Sequence, residues 1–382
     1  MPAAAEVVTV PRAPGWSDRW HAWRDRLLAS SGFRRRAASL WLTRPFARKR
    51  ARALFDVMAG FVYSQVLFAC VRLKVFDLLA QGPATTEVLA QRMGLPPDAA
   101  HRLLAAAASL ELAQRRSGGR WGLGALGAAM VGNDAIAAMV EHHAVLYADL
   151  ADPVALLRGT AGPAALAECF AYATSASPGS LPTQRVRDYS AVMAASQPLV
   201  ADEVLDAYPV ARHRLLLDVG GGEGVFLTAV ARRAPALRMM LFDLPAVAEA
   251  ARARFAAQGL ADRATAIGGD FFADTLPQGA DLATLVRVIH DHSDEGAAAI
   301  LRAVHAALVP GGTLLLAEQM ADTPGAQPMG DAYFGFYLLA MGRGRPRSAA
   351  QLGEMLRAAG FTGVQLLRTS LPLQVQVLVA RA

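Results

Sequence analysis

The 382 residues are 54% apolar and 18% charged, enough chain for two domains with sizeable cores rather than one. The formal net charge of +6 belongs to one end: residues 1–52 carry 12 Arg and Lys against 3 acids and the remainder 26 against 29, so the body is not a polycation. Two cysteines argue against a disulfide framework or thiolate metal site and fit a reducing cytoplasm; with no run near roughly 18 uninterrupted apolar residues and no apolar leader ending in a small-residue cleavage site, a soluble body without a secretory signal is expected.

In chain order, the first element is a basic arm over 1–50. Trp16, Trp20, Trp23 and Leu27 recur at helical spacing among Arg19, Arg24 and Arg26, and Trp41 and Phe46 follow Arg34 to Arg36. Arginines interleaved with tryptophan suit the interface of an anionic membrane; the alternative is a stripe that packs on the body or on a second subunit. A helical region spans 51–173, with a compact unit inside it. Gln81-Gly82-Pro83 turns the chain, Thr85-Thr86-Glu87 opens a short helix, Gly94-Leu95-Pro96-Pro97 leads into a second through Leu110, and Gln114 to Leu123, with Gly118-Gly119 at its tip, reads as a β-hairpin wing. That pattern is a winged helix. Its second helix offers Asp98, Ala99, Ala100, His101, Arg102 and Ala105 to Ala108, where a reader of base edges would carry several Arg, Lys, Asn or Gln. Dimerisation by close helix packing fits those small residues better than nucleic-acid binding.

Residues 174–212 read as a linker, rich in turn formers, and a bridging helix from Tyr189 to Tyr208. From 213 to 382 apolar strands alternate with amphipathic helices: Arg214 to Val219, Arg238 to Phe242, Ala264 to Ile267, Asp281 to Ile289 and Thr313 to Ala317, then a hairpin from Val364 to Val379. Such alternation predicts an α/β, Rossmann-like doubly wound sheet of order 3-2-1-4-5 plus the C-terminal hairpin.

The first strand of that sheet runs into Asp218-Val219-Gly220-Gly221-Gly222-Glu223-Gly224 and then a helix, so the backbone can approach a ligand closely. Any tight α/β turn could look the same. However, Asp243 ends the next strand, where an acid grips ribose hydroxyls, and the spacing is G-x-G-x-G rather than the dinucleotide G-x-G-x-x-G. Asp218 and Glu223 would repel a pyrophosphate and suit a cation, so S-adenosylmethionine (SAM) is favoured over NAD. Asp270 and Phe271 follow the third strand and can offer a carboxylate and a ring face to an adenine.

The fourth strand ends in Arg287-Val288-Ile289-His290-Asp291-His292 and the fifth in Glu318. Neighbouring strands lie about 4.8 Å apart with both carboxyl ends at the crevice, so His290 and Glu318 can meet. Methyl transfer needs a held nucleophile and a base for its proton, which an imidazole oriented by a carboxylate provides. A structural histidine is the competing reading of His290. His-x-His has metal-ligand spacing without a third ligand, and no metal is expected.

Together, Val71 to Pro83, Asp218 to Gly224, Phe242-Asp243-Leu244-Pro245, Gly269-Asp270-Phe271, His290-Asp291 and Gly360-Phe361 resemble the winged-helix class of small-molecule O-methyltransferases, over roughly 51–382. The resemblance implies a homodimer formed through the N-terminal domain, SAM (leaving as S-adenosylhomocysteine) held by Asp218, Gly220, Gly222, Asp243, Leu244, Asp270, Phe271 and Arg287, His290 as base and Glu318 as its acid partner. Two departures stand out: His292 replaces the tryptophan usual after the His-Asp pair, and a second acid that plant members carry falls at Pro346, which would leave His290 to Glu318 alone.

More closely, the Trp-containing extension with Phe61 to Val66 and Glu141 to Leu150 resembles the carotenoid hydroxyl O-methyltransferases of purple phototrophic bacteria, which act on the 1-hydroxyl of demethylspheroidene or hydroxyneurosporene type carotenoids. That acceptor is a tertiary alcohol, at least as weak an acid as water at about 15.7, unlike a phenol near about 10, so base assistance matters more. An apolar channel is then expected from Tyr189, Met193, Phe334, Phe336, Tyr337, Leu338 and Met341, each equally readable as plain core. His142 or His143 is expected to face the acceptor, but not both equally, because neighbours on a helix point about 100° apart. A bacteriochlorophyll precursor or a polyketide phenol remains an alternative acceptor, a non-catalytic DNA- or SAM-binding protein an alternative class, and the expected location is cytoplasmic, peripheral on the inner, photosynthetic membrane.

Overall fold

The computed structural model describes residues 15–162, 164–169 and 197–382, in two compact units that divide between Leu126 and Gly127. Helices Asp134–Asp149 and Pro153–Leu157, within the 51–173 segment, share their unit with the sheet.

In the first unit the arm forms helices Trp16–Ala29 and Ser31–Ser39 and leads into Arg44–Arg72. None of the first helix is buried: Trp16 is 84% exposed and Trp20 and Trp23 about half, with the last two rings 5.0 Å apart. Helix Arg44–Arg72 is long and apolar enough to cross a membrane by length and composition, and it buries only Cys70. Leu54, Phe55, Val57, Met58, Phe61 and Val62 lie open along it. Burial pushes the Cys70 thiol up to about 12, so it behaves as a small apolar side chain.

The winged helix follows. Helix Thr86–Met93 closes at Gly94 (φ +68°), and Pro97–Ser109 starts with proline at its first turn, where a missing N–H costs nothing. Strands β1 (Ala113–Arg115) and β2 (Trp121–Leu123) pair antiparallel as the wing. Trp121 is buried, and its indole N–H donates to the Thr86 hydroxyl at 2.9 Å. Ala100, Leu104 and Ala107 of the second helix face inward, so its small residues serve packing.

The second unit is built on a seven-stranded sheet. Its strands are β3 (Leu215–Val219), β4 (Arg238–Asp243), β5 (Ala264–Gly268), β6 (Ala280–Val286), β7 (Leu308–Glu318), β8 (Thr362–Leu367) and β9 (Gln376–Arg381). They lie in the order β5-β4-β3-β6-β7-β9-β8, parallel from β5 through β7, with β9 antiparallel to both neighbours. This is the expected doubly wound order with its hairpin. Both faces of the central strands are covered, which is why they read as unbroken apolar runs. Helices Val225–Arg233 and Pro245–Ala257 pack Phe226, Val230, Ala251 and Phe255 on one face. Helices Asp294–Ala307 and Ala349–Ala358 pack Ile300, Val304, Leu352 and Leu356 on the other. The strand order reverses at β3 and β6, so their carboxyl ends open the crevice where ligands of such sheets bind.

Candidate active site

Between β3 and helix Val225–Arg233 the backbone adopts left-handed conformations at Gly220 (φ +69°) and Gly224 (φ +78°). A Cβ on Gly220 would stand 2.8 Å from Val288, and one on Gly224 would stand 2.6 Å from Phe255, so both turns require glycine sterically as well as by conformation. Two acids line this loop. Asp218 is buried at the end of β3; its Oδ1 accepts from the Thr284 hydroxyl at 2.6 Å, while Oδ2 is buried with no hydrogen-bond partner among the described residues. Burial pushes its carboxyl up to about 7, against the Thr284 hydrogen bond and with help from Asp243. Asp243 accepts from the Gly222 and Leu244 N–H groups at 2.8 and 2.7 Å, and burial still pushes it up to about 6.

Two desolvated carboxyls with an orphaned oxygen make a site that disfavours anions and gains from a cation, the charge pattern of a sulfonium and an ammonium. Glu223, expected to add to that field, does not: Arg254 takes its carboxylate at 3.0 Å and its carbonyl at 2.9 Å. The pair costs less than an uncompensated third acid beside the loop, and the selectivity for a cation falls to Asp218 and Asp243. Asp270 uses one carboxylate oxygen to cap its own turn at the Phe272 N–H, 2.9 Å away. Phe271 and Phe272 meet the His292 ring edge-on at 5.4 and 5.3 Å, so His292 takes part in the aromatic cluster beside Asp270. Burial holds the His292 imidazole below its ordinary value.

At the adjoining strand ends, Arg287 takes a left-handed φ of +60°, rare for a side-chain-bearing residue and frequent at functional turns. The chain then forms a short 3₁₀ turn, Ile289–Asp291. Glu318, at the end of β7, anchors that turn: its Oε1 accepts from the N–H groups of Val288 (3.0 Å) and Ile289 (2.7 Å), and its Oε2 pairs with His290 Nδ1. The sheet register makes this meeting unavoidable, because Val286 lies opposite Ala317. His290 Nε2 lies 3.1 Å from Asp291 Oδ1, so the imidazole is held between two carboxylates and not by Glu318 alone. Burial by itself would lower the His290 pKa, but the charges of Glu318 and Asp291 outweigh it and raise it to about 10. Among the described residues no group of His, Cys, Asp and Glu is arranged to hold a metal.

The aromatic wall comes from a π-helical stretch, Pro328–Phe334, continuing into helix Gly335–Met341. Phe334 lies 6.0 Å from the His290 ring. Tyr337 meets His142 Nε2 at 2.8 Å, and Tyr333, one turn earlier, meets His143 Nε2 at 2.8 Å. Both adjacent histidines are thus engaged, because two tyrosines four residues apart present hydroxyls in both directions. Burial keeps both imidazoles below their ordinary value and the Tyr333 hydroxyl above its own, so the wall is neutral. Leu338 and Met341 pack with Leu146 and Leu166 as plain core, while Phe336 is 38% exposed. Tyr189 and Met193 lie outside the described residues.

Sequence reasoning passed over Thr284, Tyr333 and Arg347. A lone threonine in the run Leu282-Ala283-Thr284-Leu285-Val286 was a readable signal; nothing in the sequence aligns Tyr333 with His143 or buries Arg347.

A family model of an O-methyltransferase domain matches residues 147–362, and one of an O-methyltransferase dimerisation domain matches residues 55–133. The chain is 45% identical over 343 residues to a demethylspheroidene O-methyltransferase of Cereibacter sphaeroides, spanning 89% of each chain. It is 44% identical over 338 residues to the Rhodobacter capsulatus protein of the same name, spanning 87% of this chain and 82% of that one. Among solved structures, human N-acetylserotonin methyltransferase in complex with SAM aligns with a TM-score of 0.70 at 26% identity, over 87% of this chain and 97% of that one.

Proposed function

From the premise that this chain belongs to the O-methyltransferase family, with SAM as methyl donor and a dimerisation domain that makes it a homodimer, we propose that it methylates the hydroxyl of a hydroxycarotenoid of the demethylspheroidene or hydroxyneurosporene type, with His290 as general base. The identity of 45% over nearly the whole chain carries the choice of acceptor. The site supports it in kind, since the wall beside His290 is aromatic and its His142–Tyr337 and His143–Tyr333 pairs satisfy each other, leaving neutral surface for an apolar chain.

When bound, SAM supplies an electrophilic methyl group on a sulfonium whose positive charge disappears as the carbon–sulfur bond breaks. Asp218 and Asp243 would hold its cationic and ribose groups around the Gly220 and Gly222 turn, with Leu244, Asp270 and Phe271 at the adenine and Arg287 for the carboxylate. Glu318 keeps the Nδ1 proton of His290 in place, so Nε2 is the nitrogen that receives the acceptor's proton as the new carbon–oxygen bond forms. Asp291, beside Nε2, stabilises the resulting imidazolium. Phe334 and the neighbouring tyrosines exclude water from the hydroxyl, so that methyl transfer to solvent does not compete.

Incubation with labelled SAM and a panel of acyclic hydroxycarotenoids, N-acetylserotonin, simple phenols and bacteriochlorophyllides tests the assignment: label enters the hydroxycarotenoid, and transfer confined to phenols would defeat it. The basic arm gives such an acceptor a route from the bilayer, and we place the protein on the cytoplasmic surface of the inner membrane, touching it through residues 1–50. A variant with Trp16, Trp20 and Trp23 all changed to Ala is expected to lose binding to anionic vesicles and keep its SAM affinity. Unchanged vesicle binding would assign the stripe to a second protomer.

A further inference from the structure

The loop between Met341 and helix Ala349–Ala358 contains none of the site residues expected from the sequence, yet it holds the turn that carries His290. Three successive contacts reach that turn's carbonyls. The Arg347 guanidinium donates to the carbonyl of Ile289 at 2.9 Å through Nη1 and to that of His292 at 2.8 Å through Nη2, and the Arg345 N–H donates to the carbonyl of His290 at 3.0 Å. Arg347 is 2% exposed, and its Nε and Nη2 also grip Asp294 Oδ1 at 2.9 and 2.7 Å. Gly344 takes a φ of +83° and passes so close that a Cβ there would stand 2.1 Å from the His290 carbonyl oxygen. The loop's other side is tied in as well, since the Ala321 N–H, three residues beyond Glu318, donates to the Arg347 carbonyl at 3.1 Å. One loop therefore fixes both the turn bearing the base and the strand end bearing its acid.

Burying a guanidinium is expensive unless its donors are used, and an apolar side chain would fill the same space at lower cost. The use made of Arg347 is specific: two carbonyls and a carboxylate are reached at once by a planar fork, which an ammonium cannot reproduce. We propose that Arg347, with Gly344, is a positioning residue that holds the Ile289–His292 turn so that the His290 ring stands between Glu318 and Asp291. In this chain proline occupies position 346, and the arginine beside it secures the turn that supplies Asp291 as second carboxylate. The inference rests on His290 being the base for its effect on turnover, but its effect on the ring's geometry does not depend on that.

The groups facing His290 are Glu318 from β7 and Asp291 and His292 from its own turn, with Arg343, Asp294, Arg345 and Arg347 beyond them. A looser turn carries the two carboxylates away from the ring, and the His290 pKa falls toward its ordinary value. Turnover needs neutral His290, so the acid limb of the kcat–pH profile moves to lower pH.

The test measures kcat, KM, SAM affinity, the pH profile, the thermal midpoint and the proton NMR signal of the His290 Nδ1–H in wild type, Arg347→Met, Arg347→Lys and Gly344→Ala. In Arg347→Met, kcat is expected to fall about 10²-fold while KM and SAM affinity change by less than about threefold, as for a base displaced by an ångström or so. The acid limb moves to lower pH, the downfield Nδ1–H signal shifts upfield or is lost, and Arg347→Lys recovers part of kcat. Should Arg347→Met fail to fold, Gly344→Ala retains every charge and presses directly on the His290 carbonyl, with the same shifts of limb and signal expected. A limb and an NMR signal left in place, with activity lost only in proportion to folded protein, overturn the proposal. If His290→Ala instead keeps turnover, the base assignment falls by itself, and the NMR signal in the Arg347 variants still decides the positioning role.

Discussion

The carboxyl ends of β6 and β7 and the helical stretch of residues 15–62, the arm with the first part of helix Arg44–Arg72, use similar side chains, ionisable groups and aromatics, in opposite ways. At the strand ends each buried charge has a partner supplied by a neighbouring strand or loop: Glu318 serves two N–H groups and an imidazole, and Arg347 two carbonyls and a carboxylate. Along the arm Trp16, Trp41, Phe46, Leu54, Val57 and Met58 are all more than two-thirds exposed, and the arginines around them are open to solvent. The strand-end groups therefore find their partners within the chain, whereas the arm and helix Arg44–Arg72 bury almost nothing against the described residues. Residues 55–72 lie within the segment that the dimerisation-domain model matches. Residues 15–54 precede it.

Experiments can press on that contrast, and the largest effect is expected at the base. His290→Ala should lower kcat by about 10²- to 10⁴-fold and leave SAM affinity within about twofold, measured by label transfer and calorimetry. Retained turnover would make the paired carboxylates a structural network only.

The next effect concerns Asp218. Asp218→Asn keeps the shape and removes the charge, so SAM binding should weaken by about 10- to 100-fold, the value of a charge-assisted contact of about 1.5–3 kcal/mol. The sign for stability runs the other way. A carboxyl raised to about 7 in the folded protein prefers to be neutral, so its contribution is favourable at low pH and is lost as pH rises through 7; the Asn variant should be at least as stable as wild type at pH 8. In wild type, a bound cation favours ionised Asp218 and Asp243. SAM affinity should accordingly fall as pH drops through about 7 and then about 6, whereas turnover at saturating SAM falls as His290 becomes protonated. Affinity independent of pH from 8 to 5.5 would remove the two acids from the cofactor's charge balance.

A smaller effect tests the arm's side of the comparison. Met58 is 72% exposed, so Met58→Ser should leave the unfolding temperature of the isolated protomer nearly unchanged. It should weaken dimerisation by about tenfold, from the loss of about 1.5 kcal/mol of apolar burial, as read by sedimentation equilibrium. A dimer of unchanged strength would show that this face of the helix is covered by something else.

Much of the sheet was legible because periodicity and burial write themselves into composition: five apolar runs separated by amphipathic helices fixed a doubly wound order, and the glycines after β3 marked its crevice. His290 and Glu318 were legible as a pair for the same reason, since each ends a neighbouring strand. Individual partners were not. Glu223 has the same sequence neighbourhood as a cofactor acid and is instead neutralised by Arg254, 31 residues away. Asp291 sits beside His290 in sequence, yet only the 3₁₀ turn folds its carboxylate back onto Nε2.

The amino-acid sequence by itself determined the alternation of strands and helices, the glycine turn, and which residues stand at strand ends, because these follow from local conformational preference and the spacing of apolar side chains. Tertiary structure alone decided which charges neutralise one another: that Asp218 keeps one oxygen without a partner among the described residues, that two adjacent histidines find two tyrosines, and that an arginine after a proline grips the turn that carries His290. Those outcomes depend on distances between segments remote in the chain and on the loss of water around them, and neither quantity is written in any local stretch of residues.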